Sequence, residues 1–296
     1  MSERSRTIAV TGATGHIGGE VARILTESGI PLRLIARSIS RLPQLPGTES
    51  AEATFSDHDR AAAALHGIDI LFMVSAAESA DRLDQHRTFI DAAVSAGVRH
   101  IVYTSYLGAA PDATFTLARD HWATEQHIRS TAMSFTFLRD SAYLDFLPAM
   151  AGADGVIRGP AGNGAVGAVA RSDIARVAAS VLTDPDAHVG RTYDLTGREA
   201  LTLAEVAAII TDVTGRETVY HEETVEEAYA SRASYNAPDW EVDAWVSTYT
   251  AIANGELAVI STAVEDITGR PPLTLRELLT SDLGNDLNTD ETGTDA

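Results

Sequence analysis

The 296-residue sequence contains no cysteine and no lysine. The absence of cysteine excludes disulfide bonds, thiolate nucleophiles and metal sites built from sulfur ligands. The absence of lysine excludes any reaction step that uses a Schiff base or an ammonium group as a proton relay. Every basic side chain is therefore an arginine or a histidine.

Positive charge is scarce, and so are long apolar runs. The formal net charge is −20 at pH 7, which argues against nucleic acid or an anionic membrane as the main partner, because both are polyanions. The first six residues lead directly into a predicted strand without the apolar segment of a signal peptide, and no run has the length of a transmembrane helix. We therefore expect a cytoplasmic protein whose partner is a small molecule. For the oligomeric state of the protein, we consider a homodimer.

A glycine-rich turn near the N-terminus is the most informative motif. Residues 7–11 form a short β-branched run typical of a buried strand, and a helical pattern begins at Gly19. A strand, a tight turn and a helix N-terminus in this order direct backbone N–H groups and the helix dipole toward a pyrophosphate. The spacing G-x-x-G-x-x-G follows the logic of the dinucleotide fingerprint rather than its usual G-x-G-x-x-G form. The predicted phosphate-binding residues are Gly12, Thr14, Gly15, His16, Ile17 and Gly18.

The end of the second predicted strand indicates which nicotinamide cofactor is bound. Residues 31–37 read as a strand that ends on Arg37, and Arg41 lies in the turn beyond it. About 20 residues after the glycine turn, NAD-binding proteins place an acidic residue on the ribose 2′-OH. An arginine at that position instead pairs with a 2′-phosphate, which predicts NADP(H) rather than NAD(H). An arginine that merely ends a surface strand would give the same pattern.

Strands and helices alternate through the first half of the chain. Further strands are predicted at 51–55, 68–74, 100–105 and 134–139, with helices at 60–65, 81–96 and 117–130 between them. This order predicts an α/β fold, a Rossmann-like doubly wound parallel sheet with a smaller, mostly helical C-terminal lobe. Ligands of such sheets bind beyond the carboxyl ends of the strands. The further cofactor-binding residues expected there are Ser75, Thr104 and Ser105, with Asp57 either on the adenine amino group or capping the next helix.

The chain is predicted to divide into two folded parts and a tail. Residues 1–139 and 168–200 form the NADP(H)-binding domain, and residues 140–167 and 201–283 form a substrate-side lobe. Residues 284–296 are polar and acidic without apolar periodicity, so we expect disorder there. Trp240, Trp245 and Tyr249 lie close together in the lobe, and a flat ligand could stack on them. Lobe core is the favoured interpretation of that cluster.

The segment Thr11-Gly12-Ala13-Thr14-Gly15-His16-Ile17-Gly18 resembles the motif T-G-A-T-G-x-[IL]-G of atypical short-chain dehydrogenases of the NmrA-like group. Arg37 with Arg41 is similar to the basic pair of that group. Type-2 NAD(P)H:quinone oxidoreductases are similar to this chain at residues 84–87, 92–105, 117–121, 124–125 and 136–139, and residues 267–272 resemble their C-terminal signature. The resemblance implies a nicotinamide ring near Ser75, Thr104, Ser105 and Tyr106, and a substrate beneath the C-terminal lobe.

The missing lysine rules out the Tyr-x-x-x-Lys pair of ordinary short-chain dehydrogenases. Reduction then needs a hydride from the cofactor and a proton from another group or from water. The candidate proton donors are Tyr106, just after the fifth strand, and His121, which Glu125 could orient at i, i+4 spacing. Asp140 and Tyr143, at the end of the sixth strand, are predicted to line the substrate pocket. No metal-site spacing involves His121 and its neighbours, so no metal is expected. The hydride is expected to pass directly from the nicotinamide to the substrate, without flavin.

Three functions fit these observations. The favoured one is an NADPH-dependent oxidoreductase that transfers a hydride directly to a quinone or a similar planar or carbonyl electrophile. The second is an NmrA-like regulatory protein that senses NADP(H) without turnover and acts on another protein, which the missing Tyr-Lys pair favours. The third is an epimerase-like or isomerase role that retains the cofactor.

Overall fold

A seven-stranded parallel sheet forms the centre of the protein in the computed structural model, which describes residues 6–281 and residue 283. The strands of the chain are β1 (Ile8–Thr11), β2 (Leu32–Ala36), β3 (Thr48–Glu52), β4 (Ile70–Met73), β5 (His100–Tyr106), β6 (Ser134–Asp140), β7 (Val156–Gly159), β8 (Ala165–Val166), β9 (Thr192–Leu195), β10 (Leu201–Thr202) and β11 (Val219–Glu222). The order in the central sheet is β3-β2-β1-β4-β5-β6-β9, and all of its neighbouring strands are parallel.

Helices cover both faces of this sheet. Other helices belong to the C-terminal lobe. The helices of the described residues are α1 (His16–Glu27), α2 (His58–Leu65), α3 (Arg82–Ser95), α4 (Thr116–Arg129), α5 (Arg171–Thr183), α6 (Leu203–Thr214), α7 (Val225–Arg232), α8 (Asp239–Ala253) and α9 (Ala263–Thr268), and residues 275–281 are also helical. Ile8 and Val10 pack with α1 and α5, whereas Ala9 packs with α2 and α3 on the other face. Burial on both faces explains why β1 and β4 are continuous apolar runs. The predicted doubly wound fold is confirmed.

The third strand lies earlier than the apolar pattern predicted. It spans Thr48–Glu52 and pairs with β2 from Leu32↔Thr48 to Ala36↔Glu52. The strand is polar and mostly exposed because it forms the edge of the sheet. Ala53 and Phe55 lie beyond it, and Phe55 stacks on Phe89 at 4.2 Å. The apolar residues Ala53 and Phe55 therefore indicate a packing contact and not a paired strand.

The C-terminal half contains more strand structure than predicted. β7 pairs with β11 in parallel, and β8 pairs with β10 antiparallel, as two separate two-stranded sheets. Val169, just before α5, makes only an isolated bridge to Tyr143. Asp173, in the first turn of α5, binds Arg176 and accepts a hydrogen bond from the Leu273 N–H. The predicted domain limits are untested, and the predicted disordered tail, residues 284–296, lies outside the described residues.

Candidate active site

Two of the three motif glycines are required by close packing. Gly12 has φ +67°, and a Cβ there would lie 2.9 Å from Cβ of Val74. A Cβ on Gly18 would lie 2.5 Å from the Gly12 carbonyl oxygen and 2.6 Å from that of Thr11. Only glycine therefore lets α1 pack this closely against the turn that follows β1.

Gly15 is open on the side where a ligand would bind. It caps α1 with extended backbone (φ −107°, ψ −179°), and the nearest atom to an added Cβ is the Gly12 carbonyl oxygen at 3.4 Å. No side chain caps α1, and its first turn has no acidic residue. The free N–H groups at this helix end therefore fit the pyrophosphate of a dinucleotide. Thr14 and His16 are exposed beside Gly15, whereas the Ile17 side chain is buried in the core, so only its backbone can serve a ligand.

Arg37 and Arg41 are both exposed beyond the end of β2. Neither has an ion pair or a side-chain hydrogen bond within residues 6–281. Two cations without protein partners fit the 2′-phosphate of NADP(H). Asp57 has the local role that the sequence left open, since its carboxylate accepts a hydrogen bond from the Arg60 N–H at 3.1 Å and caps α2. A contact to adenine stays a prediction.

The polar residues at the ends of β4 and β5 are bonded within the protein. The Thr104 hydroxyl accepts a hydrogen bond from the Ser75 N–H at 2.9 Å, and it is buried. The Ser105 hydroxyl donates to Glu125 at 2.6 Å. Arg139 binds the same carboxylate through two hydrogen bonds of 2.8 and 2.7 Å. Glu125 is thus held by Ser105 and Arg139, and the prediction that it orients His121 is wrong.

A cavity of about 910 Å³ lies between these strand ends and the C-terminal lobe. Its lining includes five residues that the sequence singled out for the site: Ser75, Ser105, Tyr106, His121 and Tyr143. It also includes Glu78 and Arg82, which sequence reasoning missed, as well as Trp245 and Tyr249. Tyr249 also packs against the hydrophobic core of the C-terminal lobe, so the lobe-core interpretation holds for it, but both Trp245 and Tyr249 line the cavity as well. Their i, i+4 spacing, which puts both rings on one face of α8, was the signal for a ligand-facing pair.

His121 is a neutral hydrogen-bond acceptor toward the cavity side. Its Nε2 lies 3.1 Å from Nη2 of Arg82, and a guanidinium can only donate. The imidazole proton is therefore on Nδ1, which donates to the Tyr103 hydroxyl at 2.9 Å. Burial, reinforced by the charge of Arg82, lowers the pKa of His121 well below its usual value. This geometry argues against the predicted role of His121 as a proton donor, because Nε2 carries no proton and the proton on Nδ1 is donated to the buried Tyr103 hydroxyl.

Asp140 is a buried carboxyl group beneath the cavity. It is 1% exposed, and neither oxygen has a well-formed hydrogen bond to another described residue, although the Tyr143 hydroxyl faces it. Burial raises the pKa of Asp140 well above its usual value, and burial also raises the pKa of Tyr106 and of Tyr143. The two tyrosines therefore keep their protons at neutral pH, and burial favours the protonated form of Asp140. Asp140 does not line the cavity, so of the predicted pocket pair only Tyr143 reaches it.

The raised pKa of Asp140 predicts a pH-dependent gain in stability for Asp140→Asn. The unfolded chain ionises this carboxyl above about pH 4, whereas the folded chain holds the proton to a higher pH, so stability falls as the pH rises toward the folded pKa. We expect the variant to unfold with a free energy higher by about 1–3 kcal/mol at pH 8 and nearly unchanged at pH 4. Urea denaturation at both pH values measures this. Asp154→Asn, at an exposed carboxylate paired with Arg158, should show no gain at pH 8, and equal effects of Asp140→Asn at both pH values would contradict the prediction.

Among the described residues, no helix has the length and apolar character needed to cross a bilayer. Within the same part of the chain, no group of three or more His, Asp and Glu side chains is placed to hold a metal ion.

Comparison with known proteins agrees with this geometry. The model of the NAD(P)H-binding family matches residues 12–185. An NAD(P)H azoreductase of Xenophilus azovorans is 32% identical over 275 residues, which cover 91% of this chain and 96% of the relative. Quinone oxidoreductase 2 of Escherichia coli (strain K12) is 32% identical over 277 residues, with 91% and 96% covered.

The fold agrees as well. The crystal structure of the Escherichia coli NADPH-dependent quinone oxidoreductase complexed with NADPH has a TM-score of 0.86 and 31% identity, and the match covers 93% of this chain and 99% of that one. The negative transcriptional regulator NmrA in complex with NAD shares the fold at a TM-score of 0.76 and 17% identity over 99% of both chains. The resemblance predicted from the motifs is confirmed. The chain belongs to the NAD(P)H-binding family and is an NAD(P)H-dependent oxidoreductase with a Rossmann-like fold.

Proposed function

We propose that this protein is an NADPH-dependent reductase that transfers a hydride directly, without flavin, to a quinone or a similar planar or carbonyl electrophile. The cavity beyond β4–β6 carries this proposal. It has the volume of a small-ligand site, and it is lined by the rings of Tyr106, Phe115, Trp245 and Tyr249, which suit a flat aromatic ligand. The relatives named for reduction of quinones and azo compounds support the same substrate class.

The chain's own residues would hold the cofactor at both ends. The N–H groups around Gly15 bind the pyrophosphate, and Arg37 with Arg41 bind the 2′-phosphate, which favours NADP(H) over NAD(H). Ser75 and Ser105 line the cavity, and the nicotinamide end of the cofactor would lie beside them. When bound, the reduced cofactor supplies the hydride.

Tyr106 is the residue that we propose as hydrogen-bond donor to the substrate. Its ring lines the cavity, and its raised pKa keeps the hydroxyl protonated at neutral pH. A strong acid is unnecessary, because a reduced quinone can take its last proton from water. His121 is then a positioning residue that holds Arg82 through Nε2.

The proposed function is tested by mixing the protein with NADPH and a panel of quinones, azo dyes, triphenylmethane dyes and enals. We expect acceptor-dependent loss of the nicotinamide absorbance, with quinones among the substrates. Tyr106→Phe should lower kcat/KM about tenfold, the order of one lost hydrogen bond to a charged oxygen. Tyr193→Phe removes a hydroxyl bonded to His188 outside the cavity and should leave kcat/KM unchanged. No oxidation of NADPH with any acceptor would overturn the proposal.

The same assay separates this function from its alternative. Tight binding of the oxidised cofactor without any turnover would favour an NADP(H)-sensing role, which the missing tyrosine–lysine pair also fits. A cytoplasmic location and a homodimer are further proposals, and gel filtration with light scattering tests the latter.

A further inference from the structure

Arg82 is a buried cation without a carboxylate partner. It is 5% exposed, and within the described part of the chain no Asp or Glu oxygen lies within ion-pair distance of it. The matched case is Arg232, which is 8% exposed and bonds to Glu223 at 2.9 Å. A buried charge is costly unless it is paired, so an unpaired guanidinium in a cavity wall indicates a ligand of opposite charge.

The surroundings orient Arg82 without neutralising it. Its Nε donates to the Ala76 carbonyl oxygen at 3.0 Å, and its Nη2 donates to His121 Nε2 at 3.1 Å. His86 supports the same loop, because its Nε2 accepts from the Ala76 N–H at 2.9 Å and its Nδ1 donates to Thr124. Burial lowers the pKa of His86 to about 3, so both histidines stay neutral. The histidines that hold Arg82 and its loop are therefore neutral, and they leave the positive charge of the guanidinium uncompensated.

The backbone adds to the positive potential. Arg82 is the first residue of α3, a helix of 14 residues whose N-terminus carries the positive end of the dipole. The acidic groups that face it are Glu78, which shares the cavity wall, and Asp120, and burial raises the pKa of both carboxyls. Neither forms an ion pair with Arg82 among the described residues.

One nitrogen of the guanidinium is left for a ligand. Nη1 has no hydrogen-bond partner within residues 6–281, and it is not among the fully enclosed polar atoms that lack a partner. Arg82 lines the cavity together with Ser75 and Tyr106. Two N–H groups of Nη1 are therefore free to donate into the space where the proposed substrate binds.

We propose that Arg82 is a catalytic residue whose Nη1 donates to the substrate oxygen that becomes negative as the hydride arrives. This inference rests on the proposed function. The hydride carries two electrons and one hydrogen to the quinone, which becomes a hydroquinone monoanion while the nicotinamide is oxidised. The new negative charge lies on a quinone oxygen, and a proton from water neutralises it afterwards. A fixed donor in a water-poor site stabilises this charge more than the neutral quinone.

The test compares Arg82→Gln and Arg82→Lys with the wild type on quinones whose hydroquinones differ in acidity. Arg82→Gln should lower kcat/KM about 100-fold, as expected for one lost oxyanion donor. The loss should be largest for the least acidic hydroquinones, and Arg82→Lys should restore part of it. The Kd for NADPH should stay unchanged in both variants, which shows that the site is folded. Arg119→Gln is the control, because Arg119 also donates to a backbone carbonyl but lies outside the cavity.

A binding measurement keeps the two proposals separate. In the presence of NADP⁺, 4-nitrophenolate mimics the anionic product, and Arg82→Gln should bind it at least about tenfold more weakly than the wild type. A wild type that reduces no acceptor would overturn the proposed function, and the phenolate affinities would still decide the role of Arg82. Equal phenolate affinity in the variant, a loss independent of hydroquinone acidity, or a weakened Kd for NADPH would each overturn that role.

Discussion

Gly15→Val is expected to weaken NADPH binding about 100-fold or more, a cost of about 2.7 kcal/mol, without lowering the stability of the fold. Gly15 has extended backbone that any residue adopts, and an added Cβ meets no atom closer than 3.4 Å. The valine side chain would instead occupy the open space in front of the first turn of α1. The phosphates of the cofactor must contact the backbone N–H groups at the N-terminus of α1 directly. The valine side chain would keep the phosphates away from these groups. Titration of nicotinamide fluorescence measures the affinity, and thermal unfolding without cofactor measures the stability.

Gly18→Ala, at another glycine of the same motif, is expected to lower the stability of the fold, which Gly15→Val leaves unchanged. Its Cβ would lie 2.5–2.6 Å from backbone atoms of Gly12 and Thr11, which no rotamer change can relieve. We expect a loss of about 3 kcal/mol or more in the free energy of unfolding, because the helix must move away from the strand. If Gly15→Val destabilised the free protein as much as Gly18→Ala, the assignment of Gly15 to ligand contact would be wrong.

The double variant Arg37→Ser, Arg41→Ser is expected to abolish the preference for NADPH. Each guanidinium–phosphate contact contributes about 1.5–3 kcal/mol, so loss of both weakens NADPH binding about 100-fold or more. NADH lacks the 2′-phosphate, and its affinity should change little. The fold should be unaffected, because both side chains are exposed and have no protein partner among the described residues. Kd values for NADPH and NADH, measured on the wild type and the variant, give the ratio of the two affinities for each protein.

The neighbouring Arg33 supplies the control for this ratio. It lies on β2 as well, but its guanidinium bonds to Glu49 at 2.9 Å and to the His66 carbonyl oxygen at 2.8 Å. Arg33→Gln should therefore leave the ratio of NADPH to NADH affinity unchanged. Equal or tighter binding of NADH by the wild type would contradict the assignment of Arg37 and Arg41.

Interactions between residues distant in the chain explain why parts of the site were predicted wrongly from the sequence. His121 and Glu125 have the i, i+4 spacing of a hydrogen-bonded pair. Arg139 comes from β6 and binds Glu125 through two hydrogen bonds, while Arg82 comes from α3 and binds His121. These partners are distant in the chain, so the spacing within one helix could not reveal them.

The sequence by itself determined the cofactor half of this protein. The strand, the glycine turn and α1 are contiguous, and the reasons for Gly12 and Gly18 are backbone conformation and close approach, which local spacing expresses directly. The missing lysine likewise excluded one catalytic machinery without any structure. Only the tertiary structure decided the substrate half. Arg82, Tyr106 and Tyr249 meet across one cavity because α4 packs against α3, β5 and α8, and burial of Arg82 away from carboxylates depends on that packing alone.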